Sequence, residues 1–194
     1  MEGVPRVLVL GHSFVKWLKR DLDRGFNARA ARHFGLIGSA EVFLHGVGGR
    51  TVPKLKELDL HVVRRIQPRI IILEIGTNDL SHTAPEKVGS DIEELCVFLR
   101  SFQSVAVVGV CHVIPRGLSA ARPHEFHDRA KLLQTYLEVV IEPLQGVFCW
   151  RHRVFSSPDK DLYRRDGVHL NVQGQYLLYR SYRGAILHSL SFLS

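Results

Sequence analysis

The sequence predicts an α/β protein: a three-layer α/β/α sandwich of the flavodoxin-like kind, built on a five-stranded parallel sheet. Three observations carry this expectation. Short β-branched runs alternate with longer amphipathic segments, which is the rhythm of βαβ units. One run, Arg69 to Ile75 (RIIILEI), is nearly continuous in apolar residues, as suits a central parallel strand covered on both faces. Glycines close several of the runs, and neither an internal repeat nor a low-complexity linker interrupts the alternation.

The elements can be justified in order. Arg6 to Leu10 (RVLVL) reads as the first strand, and Ser13 to Arg24 as a helix with Phe14, Trp17, Leu18 and Leu22 at roughly helical spacing. Glu41 to Leu44 is the second strand, ended by Gly46, Gly48 and Gly49. Val52 to Ile66 follows as one helix, with Pro53 tolerated in its first turn. Arg69 to Ile75 is the central strand, closed by Gly76. A helix from Glu86 to Arg100 leads to a strand from Ser104 to Cys111, and a helix from Glu125 to Ile141 leads to a strand from Val147 to Trp150. The last helix begins near Asn171 and runs to the C-terminus. The fold class implies the strand order 2-1-3-4-5 and places ligands beyond the carboxyl ends of the strands.

Length and composition limit what this frame can hold. The 194 residues fit one domain spanning 1–194, in which roughly 70% of the unfolded surface can be buried. With 45% hydrophobic and 23% charged residues, the chain has the composition of an ordinary soluble globule. Cys96, Cys111 and Cys149 are odd in number and widely spaced, which suits free thiols and a reducing, intracellular setting. No signal peptide is apparent, and no apolar run approaches the ~20 residues of a membrane span, so neither export nor insertion is expected. A formal charge of +7 and a pI near 9.6 admit a nucleic acid or an anionic lipid surface as partner. The positive residues are nonetheless dispersed in pairs such as Arg64 with Arg65, and Arg164 with Arg165, as on a solvated surface. Lys16, Lys19, Arg20 and Arg24 could share one face of the first helix.

Four short segments carry the chemistry: Gly11-His12-Ser13, Gly48-Gly49-Arg50-Thr51, Gly76-Thr77-Asn78-Asp79 and Asp166-Gly167-Val168-His169. A serine hydroxyl becomes a useful nucleophile when a base can take its proton and fixed donors can receive the resulting oxyanion. Ser13 falls where a strand becomes a helix, so its N–H and hydroxyl can face one point above the sheet; alone, it would read as a helix cap. The glycines let backbone N–H groups approach a ligand but lack the dinucleotide fingerprint. Asn78 can aim its amide at the same oxyanion, the competing reading being an N-cap with Asp79 in the first turn. In Asp166-x-x-His169 the carboxylate can hold the imidazole Nδ1–H and leave Nε2 for the serine. The eleven histidines show no recognised zinc spacing, and neither a metal nor a cofactor is expected.

With these blocks the chain resembles the SGNH or GDSL-like hydrolases, and the resemblance spans Val7 to Asn171. It implies a serine esterase with Ser13 as nucleophile, His169 as general base and acid, and Asp166 as its orienting carboxylate. Ser13 N–H, Gly49 N–H and the Asn78 side chain would form the oxyanion hole. The stretch from Ile66 to Asp91 and the later Ile114-Pro115-Arg116-Gly117 are similar to the intracellular platelet-activating-factor acetylhydrolase branch. The Gly-His-Ser-Phe start in a basic chain also resembles esterase domains of LINE retrotransposon first-frame proteins. The family's usual Gly-Asp-Ser is here Gly11-His12-Ser13. His12 is therefore expected to be a structural hydrogen-bonding residue or, with Gly48, to contact substrate. The expected substrate is a small ester or acetylated compound with a short acyl group such as acetate, because no long extra segment is available to build an extended lipid tunnel or lid. The rival reading is a catalytically weak module that binds nucleic acid or an anionic membrane through its basic surface.

Overall fold

The computed structural model describes residues 3–156 and 161–193. Five parallel strands, β1 (Arg6–Gly11), β2 (Glu41–Gly46), β3 (Ile70–Glu74), β4 (Val107–Cys111) and β5 (Val147–Trp150), lie in the order β2-β1-β3-β4-β5. The helices are α1 (Ser13–Asp23), α2 (Val52–Leu58), α3 (Leu60–Ile66), α4 (Pro85–Arg100), α5 (Pro123–Ile141) and α6 (Val172–Leu190). The α/β sandwich and its strand order are as expected.

Alternation along the strands builds the three layers. Val7, Val9, Ile70 and Ile72 pack with α1 and α6 on one face. Leu8, Leu10, Ile71 and Leu73 pack with α2 to α5 on the other. All eight are fully buried, which is why the β1 and β3 sequences carry no polar alternation. The three thiols are unpaired, and burial pushes Cys149 up to about 11 and Cys96 and Cys111 higher still.

Several boundaries depart from expectation, and α6 ends at Leu190 instead of running to the C-terminus. The segment from Val52 to Ile66 is two helices; Asp59, at their junction, has φ −110° and ψ −5° and turns its carboxylate inward to Arg50 and His45. β4 starts at Val107, not Ser104, since Val105 still hydrogen-bonds back to Phe102 in the preceding turn. β1 and β2 run on to Gly11 and Gly46. The chains are closest there: a Cβ at Gly11 would lie 2.0 Å from the Glu74 carbonyl oxygen.

Candidate functional site

The sheet register sets the site's geometry. Gly11 pairs with Gly46 on one side and with Glu74 on the other, so β1, β2 and β3 release their chains at one level. Two backbone bonds carry the alignment past the strands, from His12 N–H to Glu74 O (3.2 Å) and from Val47 N–H to Gly11 O (3.1 Å). Ser13, Gly48, Gly49 and Asn78 follow within four residues of these ends, at the edge where open α/β sheets hold ligands.

Ser13 is the first residue of α1, and the cap is His12, whose Nδ1 accepts from Phe14 N–H at 3.4 Å. The capping role open to Ser13 is therefore filled by its neighbour. Ser13 Oγ has no hydrogen bond among the described residues and is partly exposed. His12 is fully buried and faces Glu74. Gly48 and Gly49 are exposed; Gly49 has φ +69° and open space where a Cβ would project.

Asn78 does not cap the short 3-10 turn that follows it. Its side-chain N–H donates to Arg50 O at 2.8 Å, and Asp79 Oδ1 accepts Val52 N–H at 2.9 Å, so the turn after β3 clamps the glycine loop after β2. The same loop is held from below by Arg50, which grips Asp59 through two bonds of 2.6 and 2.9 Å. Burial works against the Asp59 charge, but the bonds from Arg50 and His45 outweigh it and keep the carboxyl below its usual range. Burial raises Asp79, outweighing the bond from Val52 N–H. Asn78 carries a second amide proton, and that proton remains for a ligand.

Asp166 and His169 pair in the loop before α6. His169 Nδ1 lies 2.8 Å from Asp166 Oδ2, while Oδ1 accepts Val168 N–H at 2.8 Å and His169 N–H at 2.9 Å. Burial opposes the charged form of Asp166, but these three donors bring it down to about 2. The ion-paired carboxylate fixes the proton on Nδ1 and leaves Nε2 open. Asn171 caps α6 by accepting Gly174 N–H at 2.9 Å, and the Gly117 N–H to Gly167 O bond (2.8 Å) ties the loop to the segment after β4. Across the cleft, the His169 ring meets the edge of Trp17 at 6.2 Å and 89°. Trp17 is four residues beyond Ser13 and shares its face of α1. The Asp166–His169 pair thus lies against Trp17, on the helix that Ser13 begins, and no hydrogen bond joins the Ser13 hydroxyl to His169 among the described residues, a contact that often tightens only with substrate bound.

Cations surround the same indole: the Arg20 guanidinium at 4.0 Å, and Lys16 Nζ and the Arg164 guanidinium at 5.4 Å. Elsewhere much of the basic charge is engaged, with Arg32 on Asp23, Arg50 on Asp59 and Arg151 on Glu138. Among the described residues no helix is long and apolar enough to cross a membrane.

Sequence reasoning passed over Glu74 and His152. Both are buried, and His152 Nε2 lies 2.9 Å from Glu74 Oε2. A lone glutamate inside an apolar central strand was the available signal. Burial opposes the Glu74 charge, yet the attraction of His152 and the donors on His152 and His12 lower it from 4.5 to about 2. Its folded value lies below its unfolded one, so its contribution is present above pH 4.5 and is lost as the pH falls from there through about 2. The melting temperature, followed by circular dichroism, is expected to drop across that acid window.

The profile of the GDSL-like lipase/acylhydrolase family matches residues 9–177. Comparison with curated protein sequences returns no match. Among solved structures, a carbohydrate esterase family 3 protein from Talaromyces cellulolyticus is similar at TM-score 0.72 and 16% identity, covering 98% of this chain and 100% of its own. An acetyl esterase mutant crystallised with acetate ion has TM-score 0.70 at 16% identity, with coverage of 98% and 100%. An acetylxylan esterase from Geobacillus stearothermophilus has TM-score 0.69 at 14% identity, with coverage of 98% and 95%. At these identities the likeness is one of fold.

Proposed function

The chain belongs to the GDSL-like lipase/acylhydrolase family, a family of carboxylic ester hydrolases, and from that premise we propose that it hydrolyses short-acyl, acetyl-type esters through Ser13, His169 and Asp166. The observation that carries the reading is the Asp166–His169 pair at 2.8 Å, set against Trp17 above the turn that begins with Ser13. A module that only bound a polyanion would have no use for a carboxylate-oriented imidazole with a free Nε2.

In this mechanism Ser13 Oγ attacks the ester carbonyl carbon while His169 Nε2 takes its proton. The oxyanion forms beside Ser13 N–H, Gly49 N–H and the second Asn78 amide proton. His169 then gives the proton to the leaving alcohol as the carbon–oxygen bond breaks, leaving an acyl-Ser13. Water, deprotonated by His169, attacks that acyl group; the acid departs and Ser13 regains its proton. Asp166 stays ionised throughout and stabilises the imidazolium.

Short acyl groups are supported by the similar folds that serve as acetyl esterases. The test is a series of 4-nitrophenyl esters from acetate to octanoate. Catalytic efficiency is expected to be greatest for acetate and to fall with each lengthening; a steady rise toward octanoate would reject the acetyl-type assignment.

A further inference from the structure

Beneath Ser13 lies a carboxylate that the proposed reaction does not use. Glu74 ends β3 in the middle of the sheet and is 1% exposed. Its Oε2 receives the Tyr182 hydroxyl and His152 Nε2, each at 2.9 Å. His12 Nε2 stands 3.7 Å from Oε1, beyond hydrogen-bond length, and has no hydrogen-bond partner among the described residues. The Cys111 thiol belongs to the same buried group.

Proton positions along the cluster follow from its donors. The Trp150 indole N–H donates to Ser181 Oγ at 3.1 Å, so the Ser181 proton is free to go to His152 Nδ1 at 2.7 Å. That leaves the His152 proton on Nε2, directed at Glu74. On the other side His12 Nδ1 accepts Phe14 N–H. A ring nitrogen that accepts carries no proton, so His12 is the Nε2–H tautomer, and this proton also faces Glu74. His152 N–H and Tyr182 O–H thus donate to Glu74 and the His12 N–H faces its other oxygen, an arrangement that favours the ionised carboxylate. Glu74, Cys111 and His152 have ligand atoms within 4.8 Å of one another, but a cation there would displace the proton that His152 gives to Glu74.

We infer that Glu74 is a positioning residue for Ser13 and acts through the tautomer of His12. The carboxylate holds the proton on His12 Nε2; Nδ1 is then the acceptor that caps α1 at Phe14 N–H, and Ser13 is the residue between the two ends of that contact. A glutamine at position 74 breaks the relation. It has one acceptor oxygen and presents N–H groups to imidazoles that already point N–H at it. If His12 turns a lone pair to that amide, its proton moves to Nδ1 and opposes Phe14 N–H, donor against donor. The inference rests on the esterase reading, of which it names a further component.

The experiment is a two-residue cycle on 4-nitrophenyl acetate, with the fold of each variant checked by circular dichroism. Glu74→Gln is expected to lower kcat about 10- to 100-fold with KM within about threefold of wild type. His12→Asp supplies a cap but sets a second buried carboxylate against Glu74, and should cost more than about 100-fold. In the double variant His12→Asp/Glu74→Gln the amide can donate to the new carboxylate, whose other oxygen takes Phe14 N–H. Its kcat is expected to exceed that of His12→Asp by at least about 10-fold, where independent sites would compound the losses. A double variant no better than His12→Asp, or Glu74→Gln with wild-type kcat, would overturn the inference. Long-range 1H–15N NMR on the wild-type protein needs no variant to fold: His12 protonated on Nε2 is expected, and protonation on Nδ1 would also overturn it. The tautomer is read without substrate, so a wild type lacking Ser13-dependent hydrolysis would sink the esterase reading and not the hydrogen-bond assignment.

Discussion

Ser13→Ala is expected to lose roughly four to six orders of magnitude in kcat on 4-nitrophenyl acetate while melting close to the wild-type temperature. The two halves of this result have separate causes. Ser13 occupies the first helical position, and its Oγ makes no hydrogen bond among the described residues, so its removal breaks no structural contact. Had Ser13 been the cap, alanine would cost about 1 kcal/mol of stability; the cap here is His12. Loss of turnover with an unchanged melting curve therefore separates nucleophile from cap. Steady-state kinetics and thermal denaturation on the same preparation would show it, and an unstable variant with residual turnover in proportion to its folded fraction would favour the structural role.

Asn78→Ala is expected to lower kcat on the order of 100- to 1000-fold, the usual cost of one oxyanion donor. The variant should remain folded, because the loop that Asn78 grips through Arg50 O keeps two other ties, Asp79 to Val52 N–H and Arg50 to Asp59. The loss should fall on kcat more than on KM, since the second amide proton meets an oxyanion that exists only once the nucleophile has added. A folded variant with normal turnover would remove Asn78 from the site.

Much of this architecture was legible in the sequence, for identifiable reasons. The apolar runs of β1 and β3 are continuous because both faces of those strands are buried, and the site blocks follow strand ends whose register the backbone fixes. The Asp166–His169 pair was legible because three-residue spacing keeps both partners in one loop. Features built from distant residues were not. The junction of α2 and α3 is drawn inward by Arg50 and His45, and helical periodicity through Val52 to Ile66 carries no trace of that pull. Glu74 was absorbed into an apolar run because its partners, His152 and Tyr182, are 78 and 108 residues away. The sequence shows His12 in place of the family's usual aspartate but not its surroundings. What His12 meets, Glu74 on the neighbouring strand and Phe14 N–H at the helix start, is visible only in the fold.

Labelling with a serine-directed fluorophosphonate, followed by intact mass and peptide mapping, tests the central claim most directly. One phosphonate per chain, attached to Ser13 and absent after His169→Ala, is the predicted result, because only an activated hydroxyl reacts. A folded protein that takes no label, or takes it on another serine, would contradict the account.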